Sequence, residues 1–322
     1  MSARLLLAMV SLLLAPVSAD ASEVLATVPG AERLSAYDGW IVLSVAGPDQ
    51  QRRLVTWHDG VVAPLNVRPN PDIFDHDVGP DTHGRPTVVY SRCVRRPRGC
   101  DLFAVTLGEG VERRLPVSRA RTSEFAPAIW GDMLVFGRRA AGRRRADVVL
   151  TQAGRPVRRL GVGTLPSPCA DVESCEGPGE GFPSESDLGP EIVAYNWRLV
   201  GGNAIFGDSS ELRVARLDGR RARIAAVGWG DGTCGAGMST PSVAGTGVRY
   251  GRSSCGTTSA ERFELAGLRR FRAPVPDAQV YHALAWDGDV LYDARFTGEL
   301  VRLGPPAWQE VRGGEPRPPL EG

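Results

Sequence analysis

The chain contains six related segments that follow one another at intervals of about fifty residues after the first thirty residues. In each segment an apolar strand is followed by a loop, a second strand, a turn and an arginine-rich third strand. The second segment shows this pattern in Arg85–Ser91, Asp101–Leu107 and Val111–Leu115. An all-strand unit of this length cannot bury its own faces, so the copies must pack around a ring. The sequence therefore predicts an all-β, six-bladed β-propeller, with seven blades as the alternative.

Turn residues in these segments predict that the propeller has two different faces. An aromatic residue followed by aspartate and glycine, as in Tyr37–Trp40, Trp130–Asp132 and Trp286–Asp289, fits a tight turn between a blade's first and second strands. Because successive strands alternate in direction, the loop after the second strand and the crossing to the next blade share the opposite face. The long insertions all fall there: Arg68–Asp75, Val94–Gly99, Arg138–Ala146, Gly161–Asp187, Trp197–Ser210 and Gly228–Gly237. Elaborated loops on a rigid scaffold usually carry binding, although neutral drift of loop sequences explains the same pattern.

The N-terminal residues have the pattern of a secretory signal. Arg4 precedes the short apolar run Leu5–Ala15, and small residues follow at 17–21. We expect residues 1–21 to form a signal peptide, with an uncleaved anchor as the alternative, and residues 22–312 to form one propeller domain. Residues 313–322 are expected to be a disordered tail. No later segment has the eighteen or so apolar residues of a membrane span. The predicted location is extracellular, periplasmic or in the cell envelope.

Six cysteines follow the predicted signal peptide. An even number in an exported chain suggests disulfides, and the spacings favour Cys93–Cys100, Cys169–Cys175 and Cys234–Cys255. All six lie on the predicted loop-rich face. Zinc binding is the weaker alternative, because C-x2-C spacing does not occur and only four histidines are present.

The net charge of the chain does not indicate a ligand class, but two local clusters of charged residues suggest one. The formal net charge of +1 gives no electrostatic basis for binding nucleic acid or an anionic membrane. Two arginine clusters on equivalent loops of adjacent blades could form an anion patch, because arginine binds phosphate and carboxylate groups bidentately. Solvated hairpin tips are the alternative, with neutralisation by an acidic crossing that includes Glu185 and Asp187. The candidate patch residues are Arg95, Arg96, Arg98, Arg143, Arg144 and Arg145.

The densest set of hard metal ligands lies between residues 72 and 83, where His76 and His83 alternate with four aspartates. Alternate residues of a loop can direct oxygen atoms at one Ca²⁺ ion. However, Asp187–Pro190 repeats the pattern of Asp77–Pro80 in another blade, and a recurring aspartate indicates a structural hydrogen bond to backbone at the start of a blade. The weak calcium candidates are Asp72, Asp75, Asp77 and Asp81; the structural interpretation predicts no cofactor.

One segment also resembles a known repeat family. Ala126–Phe136 followed by Asp147–Leu150 is similar to the WD40-like repeat of TolB-type propellers, whose typical shape is Pro-x-Trp-Ser-Pro-Asp-Gly, an apolar strand, a second strand and a turn. The likeness covers most of residues 33–311, but the Ser-Pro-Asp-Gly core is shortened or replaced in all six copies. The resemblance implies a propeller that binds partners or covers an exported hydrolase without itself being catalytic.

Two functions remain open from the sequence. The first is an exported, non-enzymatic and monomeric binding or scaffold module, which contacts a protein or polysaccharide of the cell envelope through its loop-rich face. The second is a metal-dependent hydrolase or lactonase with its site at the channel mouth. No nucleophile motif or zinc motif supports catalysis. Four or more carboxylates within metal-bonding distance at the axis would favour the enzyme, and a channel lined by small and apolar side chains would exclude it.

Overall fold

The computed structural model describes residues 22–95, 98–143, 145–160, 180–200, 209–218, 223–229, 237–254, 257–275, 283–295 and 297–311. The regular secondary structure of these residues consists of β-strands. Among them, no helix is long and apolar enough to cross a membrane.

Six antiparallel sheets form the blades of a β-propeller, which confirms the predicted fold and the predicted blade number. The strands of each blade follow one another from the axis outwards. Blade 1 contains β2 (Ala31–Tyr37), β3 (Trp40–Ala46), β4 (Arg52–His58) and β5 (Val61–Pro64); blade 2 contains β6 (His76–Pro80), β7 (Pro86–Arg95), β8 (Arg98–Thr106) and β9 (Glu112–Arg114); blade 3 contains β10 (Thr122–Trp130), β11 (Met133–Ala140), β12 (Asp147–Gln152) and β13 (Arg158–Leu160).

Blades 4 to 6 complete the ring. Blade 4 contains β14 (Glu180–Leu188), β15 (Ile192–Val200), β16 (Ser209–Arg216) and β17 (Arg223–Trp229); blade 5 contains the short inner strands β18 (Gly237–Met238) and β19 (Ser242–Ala244), then β20 (Gly247–Ser254), β21 (Thr257–Glu264), β22 (Arg269–Pro274) and β26 (Gln309–Glu310); blade 6 contains β23 (Ala283–Asp287), β24 (Val290–Ala294), β25 (Glu299–Leu303) and β1 (Glu23–Thr27).

The hydrophobic core lies between neighbouring blades, because each sheet buries both of its faces. One cluster joins Leu34 and Ile41 of blade 1 to Tyr292 and Leu300 of blade 6. Five similar clusters of described residues join the other pairs of adjacent blades around the ring. Apolar and polar residues alternate less strictly along these strands than in a sheet with one solvent-exposed face, because neighbouring blades cover both faces.

Strand β1 closes the ring. It pairs antiparallel with β25, and Val24 lies opposite Val301 while Ala26 lies opposite Leu300. The N-terminal segment therefore supplies the outermost strand of blade 6, whose other three strands come from the C-terminal part of the chain. The C-terminal segment in turn passes beside blade 5, where β26 adds to the outer edge of β22 and Trp308 packs against the core between blades 5 and 6.

The recurring Asp-x-Gly-Pro sequence makes the same contact in blades 2 and 4. The Asp77 carboxylate accepts a hydrogen bond from the backbone N–H of Ile129, 3.1 Å away, on the innermost strand of the next blade. The Asp187 carboxylate accepts one from the backbone N–H of Val243 in the same way. In each case the glycine two residues later lies against the residue that donates this bond. The structure thus places both aspartates in the structural position that their recurrence indicates.

The two glycines provide a matched pair of substitutions. A Cβ at Gly79 would lie 2.3 Å from the Ile129 carbonyl oxygen, whereas a Cβ at Gly189 would lie 2.6 Å from Cγ1 of Val243. Backbone cannot move away as a side chain can, so we expect Gly79→Ala to destabilise the protein by about 3 kcal/mol and Gly189→Ala by about 1 kcal/mol. Urea denaturation of both variants measures the difference, and equal losses would contradict the register of β6 against β10.

One predicted boundary is wrong. The sequence predicts that the long insertion Gly161–Asp187 is a crossing, but its last eight residues belong to β14. Glu185 and Asp187 therefore do not lie in an acidic loop near the arginine clusters. They lie on the innermost strand of blade 4, and their side chains belong to the axis of the ring.

Candidate functional site

Charged side chains from three blades meet at the propeller axis. Arg33 of β2 is 5% exposed, and its Nη1 lies 3.3 Å from Oδ1 of Asp75 and 3.7 Å from Oε1 of Glu185. Blades 1 and 4 stand opposite each other in a ring of six, so the contact between Arg33 and Glu185 spans the centre. At this level buried Arg33 and partly exposed Glu185 form an ion pair across the axis.

Asp75 connects three blades at the same level. Besides Arg33 of blade 1, its carboxylate accepts hydrogen bonds from Oγ of Ser91 and from the backbone N–H of Ala126, each at 3.0 Å. Asp75 is fully buried, and a buried carboxylate is stable only when such donors surround it. Ala126 has a φ of 49° at an irregularity in the pairing of β10 and β11, so the Asp75 contact also holds a backbone conformation that an alanine rarely adopts.

Asp77 on β6 and Asp187 on β14 follow Asp75 and Glu185 by two residues, so each lies on the same side of the chain as its predecessor. Burial, and then the nearby Asp187 carboxylate, raise the pKa of Asp77 well above its usual range. Burial raises the pKa of Asp187 to about 7. The backbone N–H groups that bond to these two carboxylates oppose the shift in both cases. The pair therefore carries negative charge at neutral pH only at a free-energy cost, unless a cation compensates it.

His76 points away from the axis and serves blade packing. Its Nε2 lies 3.1 Å from the carbonyl oxygen of Val42, and its Nδ1 lies 3.1 Å from that of Phe74. Desolvation, followed by the charge of Arg33, lowers the pKa of His76 to about 4. The ring is neutral at physiological pH and donates a hydrogen bond to only one of these two carbonyl oxygens, and its Nε2 lies against the backbone of blade 1.

The four predicted calcium candidates do not converge on one point. Asp72 is half-buried in the connection between β5 and β6, and Asp75 contacts Arg33. Asp81 closes the turn between β6 and β7, where it accepts hydrogen bonds from the N–H groups of His83 and Arg85 and pairs with the Arg85 guanidinium at 2.7 Å. Within the described residues, no group of three or more His, Cys, Asp or Glu side chains could hold a metal ion. The side chains at the axis are charged, so the channel is not the apolar channel that would exclude an enzyme. Its described carboxylates also do not converge on one point in the number that a metal-dependent enzyme would require.

The connections on the two faces differ in length. On one face, which we name the turn face, β2–β3, β4–β5 and β10–β11 are joined by two-residue turns, and β6–β7 and β12–β13 by five residues each. On the opposite face, which we name the loop face, the connections at 65–75 and 115–121 are longer. The strands that flank residues 161–179, 201–208 and 230–236 also end on the loop face, while those residues themselves lie outside the described part of the chain.

The hairpin of β7 and β8 extends from the loop face. Cys93 and Cys100 lie opposite each other and are joined by a disulfide, as their spacing predicts. Val94, the next residue, is 84% exposed. The other two predicted pairs, Cys169–Cys175 and Cys234–Cys255, lie outside the described residues.

The predicted anion patch is described only in part. Arg143 and Arg145 are exposed in the connection between β11 and β12. Arg95 ends β7 and Arg98 begins β8, which places both at the tip of the neighbouring hairpin. Arg96 and Arg144 lie outside the described residues, so the patch as a whole remains a prediction.

Loss of the disulfide is expected to loosen this hairpin and leave the ring intact. The bond closes a short loop, so replacing both Cys93 and Cys100 by alanine should lower the free energy of local opening of this hairpin by about 2–3 kcal/mol, because the opened segment gains entropy. Hydrogen exchange should accelerate in β7 and β8 near residues 91–102 and stay unchanged in blades 5 and 6. Faster exchange throughout all blades would show that the bond supports the whole ring.

Several solved structures resemble this chain at low sequence identity. A Mycobacterium tuberculosis puromycin-hydrolyzing peptidase matches with a TM-score of 0.50 and 12% identity, over 89% of this chain and 53% of that chain. TolB from Acinetobacter baumannii matches with a TM-score of 0.49 and 12% identity, over 77% of this chain and 55% of that one. AofleA from Arthrobotrys oligospora matches with a TM-score of 0.47 and 9% identity, over 92% and 90%.

The likeness to the peptidase, with a TM-score of 0.50, concerns the fold alone. The chain spans about half the length of the TolB and peptidase structures that it matches. No protein-family profile matches the sequence, and no curated protein matches it. The propeller fold fits a binding or scaffold module, and membership of the TolB-type repeat family remains a prediction.

The sequence did not predict which charged residues meet at the propeller axis. Arg33 and Glu185 are 152 residues apart in the chain and meet only because the ring places their blades opposite each other. The innermost strands β6 and β14 are rich in polar residues, so they lack the apolar alternation that identified other strands. The one available signal was the repeated Asp-x-Gly-Pro, which correctly aligned Asp77 with Asp187.

Proposed function

We propose that this protein is an exported, non-enzymatic binding or scaffold module whose loop face contacts a protein or polysaccharide of the cell envelope. The observation that carries the proposal is the difference between the two faces. The longest described connections, at 65–75 and 115–121, and the disulfide-linked hairpin occupy one face, and turns of two to five residues recur on the other. Loops held by a rigid scaffold are the usual location of binding residues.

The described part of the loop face offers suitable contact groups. Val94 is an exposed aliphatic side chain next to a disulfide, which limits the entropy lost when a partner orders the hairpin. Arg143 and Arg145 are exposed on the adjacent blade. An apolar tip beside guanidinium groups suits a partner that combines apolar surface with carboxylate or phosphate groups.

The axis supports this function better than the alternative of a channel-mouth hydrolase. Catalytic carboxylates must reach a substrate, yet Asp75 and Asp77 are buried, and Arg33 contacts Asp75 and, across the axis, Glu185. In the part of the chain that the structure describes, the carboxylates at the axis are engaged by backbone N–H groups, Ser91, Asn196 and Arg33. These contacts hold the ring together and leave the loop face for recognition.

Charge reversal on the two faces of blade 3 tests the proposal. Arg143 and Arg145 lie on the loop face, and Arg155 is an exposed arginine in a turn on the opposite face. The full-length mature protein is sedimented with envelope of the producing cells, either as purified polysaccharide or as detergent-extracted envelope protein. We expect R143E/R145E to weaken binding at least tenfold and R155E to change it less than twofold.

The same assay separates the two classes of partner. Binding to polysaccharide freed of protein identifies a polysaccharide, and binding only to the protein extract identifies a protein. Equal weakening by R155E, or no binding to either fraction, would contradict recognition through the loop face.

A further inference from the structure

Two carboxylates near the axis form no direct ion pair with a described residue. Asp77 is 4% exposed and Asp187 is partly buried, and each accepts hydrogen bonds from backbone N–H groups. The nearby guanidinium of Arg33 contacts Asp75 and Glu185 instead. A desolvated carboxylate without a directly paired cation is costly.

The strand register brings a third oxygen atom to the same level. The innermost strands run in the same direction around the axis, and side chains two residues apart share one side of a strand. Arg33 contacts both Asp75 and Glu185. The residues two positions further along those chain segments are Ser35, Asp77 and Asp187, which therefore form the next layer. Ser35 is 5% exposed, and its Oγ is buried without a hydrogen-bond partner in the described part of the chain.

We propose that the axis binds one divalent cation of the calcium class between Asp77 and Asp187, with the Ser35 hydroxyl as a neutral ligand. Hard cations of this class take carboxylate, hydroxyl and backbone carbonyl oxygens. Two carboxylates match a double positive charge, and an innermost strand has one edge whose backbone carbonyls are not used by its own sheet. The ion joins blades 2 and 4 across the ring next to the Arg33 ion pairs.

This assignment differs from the calcium loop that the sequence suggested. Of the four loop candidates it keeps only Asp77, and it replaces the others by Asp187 of another blade. The proposed binding function does not depend on it, because the ion lies inside the ring and the loop face is outside.

Calcium alone is the probe for the test. The mature chain is stripped with a chelator and then dialysed to equilibrium against Ca²⁺, and its thermal unfolding is followed with and without the ion. We expect one Ca²⁺ per chain and a rise in Tm at saturating Ca²⁺, because the ion binds only the folded ring. If the unsubstituted protein does not bind Ca²⁺ at millimolar concentration, the proposal is overturned.

Three variants locate the ion. Asp187→Asn retains an acceptor for the N–H of Val243 and should fold; it should weaken Ca²⁺ binding at least tenfold and remove the rise in Tm. Ser35→Ala should weaken binding a few-fold and gives a second readout if the first variant is unstable. Asp72→Asn is the matched control and should bind like the original protein. Loss of binding in Asp72→Asn, or full binding in Asp187→Asn, would place the ion elsewhere and contradict the axial site.

Discussion

Removal of β1 is expected to open the ring and unfold the protein at physiological temperature. Without residues 22–29, β25 becomes an exposed edge and the core between blades 6 and 1 loses Val28, Leu25 and Ala26. Burial of Val28 contributes about 1.5–3 kcal/mol, and the partly buried Leu25 and Ala26 contribute less. Together with the lost backbone hydrogen bonds to β25, the loss is about 5 kcal/mol. That is comparable with the whole stability of a typical domain.

The measurement compares chains that begin at residue 22 and at residue 30. Thermal unfolding followed by circular dichroism should show a Tm lower by more than about 10 °C for the shorter chain, or no cooperative transition. A peptide that covers residues 22–29 should restore part of the loss when added in excess, since β1 binds only the folded edge of β25. A chain that ends at Val311 is the control and should unfold like the original protein.

An unchanged Tm after removal of β1 would contradict closure by the N-terminal strand. It would mean that blade 6 is complete with β23, β24 and β25, and that the contact of blade 6 with blade 1 does not need Val28.

Asp75→Ala is expected to have the second large effect, a loss of about 3–5 kcal/mol. The substitution leaves Arg33 with only the longer contact to Glu185, and it removes the acceptor for Ser91 and for the N–H of Ala126. Breaking one side of a buried ion pair is costly because the remaining charge stays desolvated. Asp75→Asn keeps two of the hydrogen bonds and should lose less.

A double variant separates the ion pair from the hydrogen bonds. Arg33→Met in the Asp75→Asn background removes both charges and retains similar volumes, so its loss should be smaller than the sum of the two single losses. Chemical denaturation of the four proteins gives this coupling. Simple additivity would show that Arg33 and Asp75 do not act as a pair.

The architecture could be predicted because repetition and turn chemistry are local. The Asp-Gly turns at 38–39 and 287–288 lie where the sequence places them, with positive φ at Asp38, Gly39 and Gly288. The alternation of strand direction then predicts two faces of different loop length. The Cys93–Cys100 bond follows from a separation of seven residues around one hairpin.

The axial cluster could not be predicted because it depends on ring geometry. The sequence groups Asp72, Asp75, Asp77 and Asp81 by their proximity in the chain, but the strand β6 separates Asp81 from Asp72 by about 16 Å at about 3.3 Å per residue. The sequence places Glu185 in a loop, because β14 follows directly on a long insertion and contains few large apolar residues. Only the closed ring brings Glu185 to Arg33.

Hydrogen exchange of the protein bound to its envelope partner tests recognition through the loop face most directly. We expect slower exchange at 65–75, 91–102 and 141–146 in the complex, with no change at the turns around residues 38, 59 and 131. Protection confined to those turns, or spread equally over both faces, would show that the partner does not bind through the loop face.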